Sequence, residues 1–208
     1  MTSAAGLQRD HDVTDVPFIV RGAVLLGLFE AVVVLLFSVA TRFLSGPLET
    51  VAVALLLILG LAPVTLLPGI WTRARTIEGI AGAAGIGLGA AFMFLLVDVV
   101  LLQHIGTYTN RWWQIGGSNW WYHPVWWMAG TFLPWLGAWL LANQAERNGR
   151  ISAPAAFATA VGFAVVVAVG AVLVGFPGAG WNVPTFGVAF LPGLALATAL
   201  SALGTRRA

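Results

Sequence analysis

Six stretches of the chain, about 18–43, 48–70, 79–103, 122–144, 153–175 and 183–203, are dominated by apolar residues from end to end. Each exceeds the roughly 18 residues that a helix needs to cross the hydrocarbon core of a bilayer. The apolar positions run on continuously and do not alternate, which excludes a transmembrane β-barrel. The pattern predicts an all-α integral membrane bundle of six helices in one transmembrane domain, 18–203. A polar segment, 1–17, precedes it, and the connections are short except for 104–121.

Local signals support the boundaries. Ser45-Gly46-Pro47 reads as a tight turn between the first two spans. Ser152 ahead of Pro154 reads as a helix start, with proline in the first turn where its missing N–H costs little. Pro63, Pro134 and Pro192 fall inside the second, fourth and sixth spans and should bend them. Membrane helices tolerate proline commonly, so these residues alone do not indicate moving parts. Span three opens on GIAGAAGIGLGAA, in which Gly85 and Gly89 form a GxxxG pair. Small residues of this kind let helix backbones approach closely, either within the bundle or between protomers.

Composition narrows the class. The chain is 59% hydrophobic and 9% charged, far from the range of soluble domains. All ten basic residues are arginine, and there is no cysteine. Schiff-base lysine chemistry, disulfides, thiolate nucleophiles and cysteine-ligated metals are therefore excluded. A net charge of +2 gives no reason to expect nucleic acid as a partner. The abundance of Ala, Gly, Val and Arg suggests a prokaryotic cytoplasmic (inner) membrane protein. Residues 1–16 lack the basic region and cleavage site of a signal peptide, so the first apolar run is expected to remain in place.

Arginine also sets the threading. With the N-terminus inside, Arg9, Arg21, Arg73, Arg75, Arg147, Arg150, Arg206 and Arg207 are cytoplasmic, against Arg42 and Arg111 outside. The asymmetry predicts both termini in the cytoplasm and segment 104–121 on the outer face.

Few residues could carry chemistry. Glu30 falls near the middle of span one and Asp98 in the outer third of span three. An ionisable residue at membrane depth is a functional candidate, because holding it there costs a few kcal/mol or more. At 100° per residue, Ala84, Gly87, Ala91 and Asp98 share a stripe, so Asp98 should face the packed side of its helix. Beyond it comes an outer polar cluster of Gln103, His104, Tyr108, Asn110, Arg111, Asn119, Tyr122 and His123. Asp98, His104 and His123 would make a weak zinc, copper or iron site, and the two histidines could ligate haem. Neither spacing matches a ligand motif, and no cofactor is predicted. The plainer reading is a hydrogen-bonded cap holding the long connection, with Asp98 tying it to the bundle. No P-loop or HExxH motif is present, and no histidine follows His123 to serve Ser118 as a base.

The segment RWWQIGGSNWWYHPVWW, 111–127, holds Trp112, Trp113, Trp120, Trp121, Trp126 and Trp127, six of the chain's ten tryptophans. Tryptophan suits the headgroup layer because its ring is apolar while its N–H seeks a polar partner. These six form an aromatic surface toward lipid, a ligand or another subunit. Three functions follow from the sequence. The leading one is a non-enzymatic membrane subunit or binding module engaging a partner, another copy of itself or a hydrophobic ligand through its outer aromatic face. The second is a small proton- or ion-coupled transporter using Glu30 and Asp98. The third is a metal- or haem-dependent redox protein.

Overall fold

The computed structural model describes residues 12–108 and 122–203, without the side chains of 122–125. Six long helices account for most of them: α1 (Val16–Phe43), α2 (Gly46–Trp71), α3 (Ile77–Val97), α4 (Tyr122–Asn148), α5 (Ala153–Leu173) and α6 (Val183–Ala202). One turn of π-helix, Asp98–Leu102, continues α3. The chain is a multi-pass membrane protein, with large apolar side chains such as Leu55, Phe92, Val166 and Val188 exposed on its outer surfaces.

The helix starts follow the local chemistry. Prolines occupy the first turns of α1, α2, α5 and α6, where no intrahelical partner is lost. Asp15, Ser152 and Asn182 cap α1, α5 and α6 by accepting backbone N–H bonds from Phe18, Ala155 and Thr185. Asp12 organises the α2–α3 turn. Its carboxyl group accepts from the backbone N–H groups of Arg75, Thr76 and Gly79 at 3.1, 3.0 and 2.9 Å. The segment read as a polar extension thus supplies an anchor at its end, 63 residues or more from the groups it holds.

Among the described residues, five helices are long and apolar enough to span a membrane; α4, whose first turn is described only in its backbone, is not one of them. Five of the six expected spans are supported on that measure, and α4 sits in the interior of the bundle. It packs against α2, α3 and α6, and buries Leu133, Leu136, Ala138, Leu140, Leu141 and Asn143. A helix shielded from lipid by its neighbours can carry Trp, Asn and Gln, residues that lower mean hydropathy. Asn143 uses its amide to bond Ser201 of α6 at 2.8 Å inside the bundle. Its helix also runs on to Asn148, beyond the 144 that the apolar run predicts.

The small residues of α3 serve the bundle itself. A side chain at Gly89 would strike Ala23 of α1, and Gly85 looks onto Ile19 of the same helix. Gly87, on the opposite side, lies against the carbonyl oxygen of Gly130 and the ring of Pro134 in α4. The GxxxG pair therefore mediates α1–α3 packing within one chain. Pro63, Pro134 and Pro192 lie inside helices as expected, and Pro68 joins them in α2. At Pro68 the carbonyl oxygen accepts both the backbone N–H and the hydroxyl of Thr72, 2.9 Å each, closing the helix end.

Candidate functional site

A cavity of about 670 Å³ lies between α1, α2, α4 and α6. Its lining repeats at helical spacing: Phe29, Glu30, Val33, Val34, Phe37 and Thr41 from α1, and Val53, Leu56, Leu57, Gly60, Leu61 and Val64 from α2. Trp126, Ala129, Gly130 and Leu133 close it from α4, and Val183, Pro184 and Gly187 from α6. The space exists because α2 and α6 touch only sparingly, while α1 and α4 pack on α3. Thr41, Glu49, Thr50, Trp181 and Asn182 gather at one end, where α1 finishes and α2 and α6 begin. That end is the one predicted to be outer.

Away from that end, where Thr41, Glu49, Thr50 and Asn182 stand, the walls are apolar except at Glu30. Glu30 is 4% exposed and lines the cavity. Both of its carboxyl oxygens are buried and, among the described residues, neither has a hydrogen-bond partner. Buried polar groups in folded proteins nearly always find a partner, and an orphan one calls for an explanation. Glu30 was readable as a candidate from depth alone. Its isolation and its position against a cavity were not, because both depend on how four separate helices converge.

Asp98 has the opposite character. It is fully buried, but Gln103 donates to its Oδ2 at 2.7 Å and Tyr108 donates to its Oδ1. The π turn makes this possible, with the backbone N–H of Gln103 bonded to the Asp98 carbonyl oxygen five residues back. Two further bonds pin the same stretch to α1. The Ser38 hydroxyl donates to the Thr107 carbonyl oxygen at 2.5 Å, and Arg42 donates to that of Gly106 at 2.5 Å. Asp98 therefore joins the beginning of the long connection to the bundle, and it is not among the cavity's lining residues.

The structure thus brings together Asp98, Gln103 and Tyr108 of the predicted polar cluster. His104 is exposed and is not a partner of Asp98. Arg111, Asn110, Asn119, Trp112, Trp113, Trp120 and Trp121 lie outside the described residues, as do the side chains of Tyr122 and His123 in the first turn of α4. Of the six clustered tryptophans, Trp126 lines the cavity and packs its ring on Phe94 at 4.2 Å, while Trp127 faces outward. Glu49, Thr50 and Asn182 went unnoticed in the sequence. Their one signal was that each stands at the same predicted end of its span. Among the described residues there is no group of three or more His, Cys, Asp or Glu able to hold a metal. No protein-family model, curated protein or solved structure matches this chain.

Proposed function

We propose that the protein is a non-enzymatic membrane binding module that holds an apolar small molecule in the cavity between α1, α2, α4 and α6, opening toward the outer face of a prokaryotic cytoplasmic membrane. The observation that carries this reading is the cavity itself, of a volume typical of small-molecule sites, with walls that are apolar apart from the polar residues at its outer end and the unpartnered Glu30 at depth. The aromatic face contributes Trp126 as one wall, so the site reaches deeper into the bundle than the tryptophan surface alone suggests. Contact with lipid follows from the exposed apolar helix faces; a second copy or another membrane subunit would meet the same faces.

Native mass spectrometry after gentle extraction tests the reading. The wild-type protein should carry a bound apolar mass or take one up from a mixed lipid extract. Leu57→Trp, which adds bulk to the cavity wall where Leu57 approaches Gly187 of α6, should abolish that mass while leaving the folded protein intact. Equal retention by the variant would place the binding elsewhere.

A second reading, a proton- or ion-coupled transporter, draws support from Glu30 facing a cavity whose walls include the proline-containing helices α2, α4 and α6. Asp98, the second acid of this reading, is engaged by two donors and stands apart from the cavity lining. Substrate flux in liposomes that depends on a proton gradient, lost in Glu30→Gln, would favour it over simple binding.

A further inference from the structure

We infer that the ligand of this cavity is a lipophilic amine: an apolar body carrying one protonated primary or secondary amine, whose N–H groups bond the two oxygens of Glu30. The inference rests on the binding reading above and names its ligand class.

Glu30 supplies two acceptor oxygens, and no described residue donates to either. An ammonium group only donates, so it is the complement of a carboxylate that only accepts. Charge-assisted bonds of this kind are shorter and about twice as strong as neutral ones. Neither charge is welcome alone in an apolar wall, but each offsets the other's desolvation when they meet with good geometry. An alcohol brings a single donor and no charge. A ligand carboxylate brings further acceptors and a like charge, and among the described residues the lining holds no arginine or histidine to offset it.

The shape agrees. From Glu30 to Thr41 the α1 wall rises about 16 Å, through Val33, Val34 and Phe37. That is a slot for an extended apolar body with its polar end at Glu30. Thr41 and Asn182 stand at the far end, where a ligand would emerge.

Three probes of one chain length decide the matter: dodecylamine, dodecanol and dodecanoate, each titrated by native mass spectrometry against the full chain. The amine should bind about 10-fold more tightly than either of the others, a difference of about 1.4 kcal/mol. Glu30→Gln should bring the amine to within about 2-fold of dodecanol, with dodecanol itself unchanged. Leu57→Trp should remove all three, which locates them in the cavity. Should Glu30→Gln not fold, Glu30→Asp retains the charge on a shorter arm and should weaken the amine alone. Equal binding of the three probes, a preference for dodecanoate, an amine preference undiminished in either Glu30 variant, or one that survives Leu57→Trp overturns the inference while leaving apolar binding standing. Failure of all three probes to bind removes the binding reading along with it.

Discussion

Tyr108 donates its hydroxyl hydrogen to Asp98, ten residues back along the chain and inside the fold, while Gln103 fills the carboxyl group's other oxygen. Bonds of this class, to a buried carboxyl acceptor, contribute about 1–3 kcal/mol each. Tyr108→Phe should therefore lower the unfolding free energy in detergent by about that amount. Asp98→Ala should cost more, because it strands two donors at once. The double variant should fall short of the sum by about 0.5 kcal/mol or more, as expected for residues in direct contact. Strict additivity would show that this pair does not hold the connection to the bundle.

How much of this was open to reading from the sequence depends on the range of the interaction. The helix starts at Ser152 and after Ser45 were, because they rest on local chemistry; Asp15 and Asn182 cap within three residues in the same way but were not singled out. The burial of Asp98 was too, since a stripe of Gly87 and Ala91 at helical spacing leads to it. The π turn that aims Asp98 at Gln103 carries no sequence mark, and neither does the cavity, a gap between helices whose residues lie as far apart as Phe29 and Gly187. The interior place of most of the fourth helix carries no sequence mark either, because apolar content alone does not reveal which helix the others surround.

The glycines of α3 give a sharper test of packing. A methyl group at Gly87 would overlap the Gly130 carbonyl oxygen and the Pro134 ring, both on a rigid neighbouring helix. At Gly85 the nearest atom to such a methyl group is Ile19 Cγ2 at 3.7 Å, an ordinary contact. Gly87→Ala should destabilise by about 1–3 kcal/mol through overpacking. Gly85→Ala should be neutral or stabilising by up to about 1 kcal/mol, since alanine loses less freedom than glycine in a helix. Thermal unfolding of the two variants side by side checks the contrast; equal losses would mean that α3 and α4 are not in the close approach described.

Orientation is testable with a chain that has no native cysteine. Ser45 is exposed in the α1–α2 turn and its side chain makes no capping bond; Asn148 is exposed at the end of α4. The arginine asymmetry puts the first outside and the second inside. Ser45→Cys should react with a membrane-impermeant maleimide on intact cells, and Asn148→Cys only after lysis. The reverse pattern would turn the cavity mouth toward the cytoplasm.

The two buried acids should respond to apolar replacement with opposite signs. Asp98 is engaged by donors, so an apolar replacement strands them. Glu30 has no partner among the described residues, so an apolar replacement removes an unfavourable burial and strands nothing. An unpaired polar group in an apolar setting costs about 1–3 kcal/mol on protein mutational scales. Methionine matches glutamate closely in length and adapts to irregular space. Glu30→Met should therefore raise the unfolding free energy by about 1–2 kcal/mol in the same detergent, while Asp98→Leu lowers it. An unpaired buried carboxyl group against a cavity is what a binding group looks like, since functional positions are where stability is given up. If Glu30→Met instead unfolds at lower temperature than the wild type, the carboxyl group has a structural partner, and its place in the cavity wall would be incidental to binding.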